Sequence, residues 1–215
     1  AGPTREPIDP VRFMSNYSSG KMGYEMAIAA KSKGASVELI SGPVTLKPIP
    51  DIKTTYVETS SEMYDVVKSK VDHYDIFIST AAIADYKPAN YSDIKYKKDE
   101  NNIFIEFTRG IDILQTISKK YENLFTVGFA AETNSLSENT KDKLQKKNLD
   151  VIVGNIANHE LKLGFESDYN EVIILSNTGS ENISLDKKSN IAARILDFIA
   201  KEYSSKLELI KKDVK

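Results

Sequence analysis

Asn16-Tyr17-Ser18-Ser19-Gly20-Lys21-Met22-Gly23 runs straight into a helical pattern, in which Met22, Met26, Ala29 and Ala30 recur at helical spacing and Gly34 makes the stop. Small and hydroxyl-bearing residues ahead of a helix leave backbone N–H groups at its first turn, with the positive end of the helix dipole behind them. That combination is the physical basis of an anion site. The familiar phosphate signatures do not apply here. A P-loop would need Gly where Ser15 stands and Ser or Thr where Met22 stands. Gly20 and Gly23 also lack the first glycine of a GxGxxG fingerprint. The bland alternative is an ordinary N-capped helix entry built from the same residue types.

Outward from this stretch, strands and helices alternate. Ala35-Ser36-Val37-Glu38-Leu39-Ile40 reads as a short strand closed by Ser41-Gly42-Pro43, and a second strand is expected over 53–57. Thr59-Ser60-Ser61-Glu62 has the form of a capping box and opens a helix to about Val71. The unbroken apolar run within 75–79 is typical of a strand buried on both faces of a parallel sheet. A polar, Lys-rich loop with no apolar anchors is expected over 89–102, then a strand over 103–107 and a helix over 112–121. A strand over 124–128, a charged helix over 136–147 and a buried strand over 150–153 follow. After a loop to about Asn170, strands 171–176 and 181–185 are joined by Asn177-Thr178-Gly179-Ser180 into an antiparallel hairpin. Ile191, Ile195, Leu196 and Ile199 line one side of a final helix over 188–203, and Lys206–Lys215 is expected to fray.

This order predicts a three-layer α/β fold with a mainly parallel sheet and a C-terminal hairpin, one domain over 1–203 with a tail over 204–215. Ala1-Gly2-Pro3-Thr4 reads like the turn after a strand, so a short apolar strand, and an upstream domain with it, is expected ahead of Ala1.

Composition narrows the chemistry. The 215 residues carry 29 basic and 31 acidic side chains, which leaves no global basic footprint for nucleic acid. Without cysteine there are no disulfides, thiolate nucleophiles or thiolate zinc sites. His73 and His159 are the two histidines, far apart in sequence, so neither a His-rich metal site nor a Ser-His triad is attractive. No apolar run approaches the ~18 residues of a membrane span. The plain reading is a soluble cytoplasmic protein with no global nucleic-acid footprint and no membrane span.

Several stretches can carry chemistry on their own residues. Ser79-Thr80-Ala81-Ala82 ends a buried strand in small residues that let a ligand approach the backbone, and Asp85 follows as a hydrogen-bond acceptor. Phe129, at another strand end, can stack on a nucleobase or serve as a core aromatic. Lys143 and Lys147 are four apart and share a helix face.

GPTREPIDPVRFMSNYSSGKMG (2–23), AAIADY (81–86), IKYKK (94–98), GFAAET (128–133) and KLQKKN (143–148) together resemble the bacterial, CTP-dependent form of phosphopantothenate–cysteine ligase, an enzyme of coenzyme A biosynthesis. The resemblance runs from residue 2 to about 200 and rests on residues with no other evident reason, including Arg5, Asp9, Pro10, Arg12 and Asn16. It implies a Rossmann-like fold, a homodimer and, in many bacteria, fusion behind a flavin-dependent decarboxylase. The 171–185 hairpin is the candidate dimer interface.

The resemblance also implies roles. Asn16, Lys95 and Arg12 would be catalytic, with Lys95 on a mobile lid over the triphosphate. Ser18, Gly20, Gly23, Ser79, Thr80, Ala81, Asp85, Lys95, Phe129, Lys143 and Lys147 would bind the nucleotide. Ile111, Asp112, Ile113 and Leu114 stand where the family has PDIV near the nucleotide, with Ile111 in place of Pro. Asn16, Ala81, Ala82 and Asp85 would bind the acid substrate. Ile83 replaces a Val and Tyr96 an Ile of the family motifs, while the GFxSDxN-like loop through Ser167, Asp168 and Asn170 carries only turn-formers. The implied reaction joins 4′-phosphopantothenate to L-cysteine through an acyl-cytidylate, with CTP as co-substrate. Mg²⁺ would ride on its phosphates, since no carboxylate cluster suggests a dedicated metal cage. Two rivals share the fold class: an NAD(P)-dependent oxidoreductase and a non-catalytic nucleotide-binding module.

Overall fold

The computed structural model describes residues 1–97, 102–132, 136–156 and 167–213. Its centre is a five-stranded sheet built from β5 (Ile76–Ser79), β8 (Phe125–Glu132), β9 (Val151–Ile156), β10 (Tyr169–Ser176) and β11 (Ser180–Lys187). The order is β11-β10-β9-β8-β5, parallel from β5 to β9 and antiparallel from β9 to β11. β3 (Glu38–Ser41) and β4 (Lys53–Tyr56) form a separate parallel pair.

Helices cover both faces. On one, α1 (Lys21–Ser32) and α5 (Lys188–Asp213) pack together: Met26 and Ala29 meet Ile191, Ile195 and Ile199 over Val127, Val151 and Val153. On the other lie α2 (Ser60–Lys70), α3 (Ile113–Lys120) and α4 (Leu136–Lys146), where Met63 and Val67 pack with Ile113 and Ile117, and Leu114 with Leu144 and Leu149. This is the expected three-layer α/β fold, with the expected C-terminal hairpin.

Local chemistry sets the starts of two helices. Thr59 Oγ1 accepts from the Glu62 N–H while the Glu62 carboxylate accepts from the Thr59 N–H, so the capping box at the start of α2 is formed in full. Asp112 caps α3 by accepting from the Gln115 N–H at 3.0 Å.

Three features depart from expectation. A short antiparallel pair, β1 (Glu6–Pro7) with β2 (Phe13–Met14), folds the opening stretch back on itself. The strand expected over 103–107 lies later, as β7 (Phe107–Arg109), because it pairs with β6 (Tyr86–Pro88). No apolar alternation marks three-residue strands whose partner is distant in sequence. The third departure is α5, which continues through 213 where fraying was expected. Tyr203 makes an edge contact with Phe125 at 5.5 Å, and Lys206 pairs with Asp150 at 2.7 Å, so the helix is held to the sheet as far as Lys206, while Leu207 and Leu209 beyond it are exposed.

Ala1–Thr4 lie between β3 and β5. The Ala1 amine donates to the Ile40 carbonyl at 2.7 Å and the Gly42 N–H to the Ala1 carbonyl at 2.9 Å. On the other side the Ala82 N–H donates to the Gly2 carbonyl at 3.0 Å and the Thr4 N–H to the Ala82 carbonyl at 3.2 Å. Below them a cavity of about 490 Å³ runs alongside both strands, walled by side chains that include Met26, Leu39, Met63, Val67, Ile78 and Ile199. The expectation of a strand ahead of Ala1 concerns residues outside this sequence.

Candidate active site

The site forms where the loop before α1 meets the carboxyl ends of β5 and β8, the edge at which open α/β sheets bind ligands. Gly20 begins α1 at φ 76°, a left-handed conformation that suits glycine, and no side chain caps the helix. The ordinary N-capped entry is therefore not what this sequence forms, and the dipole of a twelve-residue helix faces the site. Two of the N–H groups expected to await an anion have partners within the loop. The Ser18 N–H donates to Asn16 Oδ1 at 3.0 Å, and the Gly20 N–H to Ser18 Oγ at 3.3 Å. Gly23 faces Thr80 and Ala1 so closely that a Cβ there would collide with both.

Asn16 joins the opening loop to the end of β5: its Nδ2 donates to the Ala82 carbonyl at 2.6 Å. Thr4, fully buried, supports the same turn, with its Oγ1 accepting from the Ala84 N–H at 3.0 Å and its carbonyl accepting from Ser15 Oγ at 2.8 Å. Sequence reasoning passed over Thr4, whose role is visible only once the turn after β5 is folded against it. Ala81 and Ala82 are half-buried and Asp85 is exposed. The Asp85 carbonyl accepts from the Gly110 N–H at 2.7 Å, so the β6–β7 pair brings Ile111 and Asp112 back beside the AAIADY turn.

The Lys95 segment is anchored rather than loose over its described part. The Ser92 N–H donates to the Ile8 carbonyl at 3.1 Å, the Tyr96 N–H to Asp9 Oδ2 at 3.3 Å, and Arg12 Nη2 to the Tyr96 carbonyl at 3.2 Å. These ties are polar, in a loop whose sequence offers no apolar anchors, and residues 98–101 lie outside the described residues. Lys95 itself is exposed. Arg12 also pairs with Asp9 at 3.4 Å, so its guanidinium bridges the opening turn and the Lys95 segment. Burial acts to raise the Asp9 pKa. The Val11, Tyr96 and Arg12 N–H groups, with the guanidinium, outweigh it and hold the carboxyl below its ordinary value.

The two lysines of the KLQKKN stretch face acids from different elements. Lys143 pairs with Glu132 at the end of β8 at 2.6 Å, and Lys147 with Asp112 at the start of α3 at 2.8 Å. The Lys147 N–H donates to the Lys143 carbonyl, continuing the helical pattern that puts both on one face. Phe129 is half-buried against the core. Of the 111–114 segment, Ile113 and Leu114 are core residues, and Leu114 packs on the backbone of Gly128. Only Ile111 and Asp112 of that segment can offer side chains to a ligand.

Ser79 is buried at the end of β5, opposite Gly128 of β8. That register links the Asn16–Ala82 cluster to the Lys143–Glu132 cluster along one sheet edge. Behind the site, Lys21 pairs with Asp168 at 2.7 Å, which ties the first residue of α1 to the SDxN loop. Thr133, His159, Gly164 and Phe165 lie outside the described residues. Among the described residues no group of three or more His, Cys, Asp or Glu could hold a metal ion, and no helix is long and apolar enough to cross a membrane.

The model of the family described as "DNA/pantothenate metabolism flavoprotein C-terminal domain" matches residues 1–203. The coenzyme A biosynthesis bifunctional protein CoaBC of Vibrio vulnificus is 43% identical over 199 residues, covering 91% of this chain and 49% of that protein. CoaBC of Escherichia coli K12 is 40% identical over 210 residues, covering 96% of this chain and 52% of that protein. The chain thus spans about half the length of the curated relatives it matches. The crystal structure of the C-terminal domain of a CoaBC protein superposes with a TM-score of 0.76 at 36% identity, covering 99% of this chain and 93% of that one. A Cab2 variant in complex with phosphopantothenate-cysteine superposes with a TM-score of 0.81 at 16% identity, covering 98% of this chain and 87% of that one, a likeness of fold.

Proposed function

Since this chain belongs to the family of DNA/pantothenate metabolism flavoprotein C-terminal domains, we propose that it is a cytoplasmic, CTP-dependent ligase joining 4′-phosphopantothenate to L-cysteine. The observation that carries the reading is the Asn16–Ala82 hydrogen bond, with Arg12 and the Lys95 segment docked on the same opening turn. Residues from three separated motifs of the ligase resemblance meet at one sheet edge. Neither an oxidoreductase nor a passive nucleotide module has a use for that meeting.

The chemistry follows from charge. A carboxylate is inert to amines at neutral pH, so one carboxylate oxygen of the acid attacks the α-phosphorus of CTP and expels pyrophosphate. The acyl-cytidylate that forms has a good leaving group; the cysteine amine attacks its acyl carbon, and CMP departs. The N-terminus of α1, with Ser18, Gly20, Gly23 and Thr80 around it, receives phosphate. Lys95 offsets charge on the transferring phosphoryl group. Asn16 keeps a second Nδ2 proton for the acyl oxygen. The Lys143–Glu132 and Lys147–Asp112 pairs flank the nucleoside end, where Phe129 offers a ring face. Among the described residues no group of three or more His, Cys, Asp or Glu could hold Mg²⁺, and the ion would enter on the triphosphate.

A homodimer fits the exposed apolar side chains Ile94, Ile103, Phe104 and Phe107 beside β6 and β7, with Phe104 93% exposed. Within the 171–185 hairpin, Leu185 is the exposed large apolar side chain.

One coupled pyrophosphate assay tests the reading, with CTP or ATP and with each acid substrate added or withheld. Release that needs 4′-phosphopantothenate and strongly prefers CTP is expected. Equal turnover with ATP removes the nucleotide assignment, and no release with any acid removes the ligase.

A further inference from the structure

Asp9 has a side chain with no exposed surface, and it lies in a turn of an otherwise accessible hairpin. Its two oxygens do different jobs. Oδ1 accepts from the Val11 and Arg12 N–H groups, both at 2.8 Å, and so closes the turn between β1 and β2. Oδ2 looks the other way, toward the Tyr96 N–H at 3.3 Å and Arg12 Nη1 at 3.4 Å. The same guanidinium reaches the Tyr96 carbonyl through Nη2. Asp9 and Arg12 therefore grip both polar groups of one peptide residue, and that residue directly follows Lys95. A few positions earlier the Ser92 N–H is held by the Ile8 carbonyl, while Ser92 Oγ donates to the Ile94 carbonyl at 2.6 Å. The backbone on both sides of Lys95 is thus fixed to the opening turn, and among the described residues no ion pair engages the Lys95 ammonium.

We propose that Asp9 is a positioning residue for Lys95, with the Asp9–Arg12 couple acting as a latch on Tyr96 that presents the ammonium to the phosphoryl group. The proposal rests on the ligase reading of Lys95. A cation on a flexible four-carbon stem stabilises a transition state well only if its backbone is placed beforehand, since reorganisation during the reaction weakens the effect. The latch supplies that placement from a part of the chain 87 residues away.

Asp9→Asn separates the two jobs. The amide keeps an oxygen for the Val11 and Arg12 N–H groups, so the turn closes. Its NH₂ group cannot accept from Tyr96 and opposes the guanidinium. Hydrogen exchange of the 92–96 amides, read without substrate, should quicken in this variant. The kcat for pyrophosphate formation should fall about tenfold with the KM for CTP little changed, the scale of a misplaced catalytic group. In a Lys95→Gln background the same substitution should change kcat by less than about twofold, because the two residues act as one unit. Losses that multiply in both backgrounds, or unchanged exchange at 92–96, overturn the latch. If Lys95→Gln alone leaves pyrophosphate formation intact, the reading of Lys95 fails, and the positioning role fails with it. Should Asp9→Asn not fold, Arg12→Lys carries the exchange measurement. A single ammonium cannot span Asp9 and the Tyr96 carbonyl as the guanidinium fork does, and slow exchange in that variant overturns the proposal equally.

Discussion

Asn16 Nδ2 donates to the Ala82 carbonyl across 2.6 Å, a bond that joins residues 66 positions apart. On the proposed reading, the second Nδ2 proton serves the acyl oxygen. Asn16→Asp removes the donor and sets an anion against that carbonyl. The variant should fold, because Asn16 is exposed and its turn-forming bond to Ser18 can be kept by a carboxylate oxygen. A stability loss of ~1 kcal/mol is the scale of a lost cap. It should still release pyrophosphate yet yield little amide, and acyl-cytidylate should be recovered after an acid quench. Equal loss of both half-reactions would make Asn16 a purely structural residue.

Lys95→Gln bears on the first half-reaction. One electrostatic stabiliser is worth about 10²-fold or more in rate, so single-turnover formation of acyl-cytidylate should fall by that order. Because Lys95 is exposed, the melting temperature should hardly move. Normal pyrophosphate release would reduce it to a surface charge.

Gly23→Ala probes the floor of the phosphate site. An added Cβ meets Thr80 Oγ1 and both Cα and Cβ of Ala1, and the Ala1 backbone is held by β3 and cannot slide away. Overpacking of this kind costs about 1–3 kcal/mol. Calorimetric titration should find CTP binding weakened at a temperature where circular dichroism reports an intact fold. Unaltered affinity would mean that phosphate does not lie against this turn.

Acid stability should depend on Glu38. Its carboxylate is held near a pKa of about 2, first by Lys70 at 2.8 Å, against the opposing effect of burial, then by the Tyr74 hydroxyl and Lys53. Tyr74 is correspondingly pushed up to about 12. A native pKa below the unfolded one means that the native state binds fewer protons. The contribution is complete above about pH 4.5 and is lost as pH falls toward 2. Denaturant melts of Glu38→Gln and the parent chain should differ by roughly 2 kcal/mol at pH 7 and converge near pH 2. Curves that stay parallel down to pH 2 would show the carboxylate to be unperturbed.

Much of this arrangement was legible in the sequence, for identifiable reasons. The capping box at Thr59, the apolar run at Ile76–Ser79 and the Ile191, Ile195, Ile199 stripe are local or periodic signals, and each formed the element it announced. What stayed hidden depends on partners distant in the chain. β1 and β2, and β6 with β7, are too short to show alternation and exist because of the strand opposite. Arg5 and Asp9 stood out only through the resemblance. The structure gives Arg5 a place over the Phe13 ring at 4.5 Å, and gives Asp9 its clasp on Tyr96. Ile113 and Leu114 looked like part of a ligand-facing segment, but helical geometry turns both inward after the Asp112 cap. Lys143 and Lys147 were found by spacing, whereas their partners Glu132 and Asp112 needed the sheet and α3 to be assembled first.

Ala1–Thr4 carry the backbone hydrogen bonds that join the β3–β4 pair to the main sheet among the described strands, two on one side and two on the other. In native-state hydrogen exchange, the amides of Gly42 and Ala82, held by the neighbouring Ala1 and Gly2 carbonyls, should respond together. A ligand gripping the Gly20–Thr80 edge would then close both halves at once. Slowed exchange at Gly42, which packs on Gly2 beside Gly20, would then report that the nucleotide has arrived.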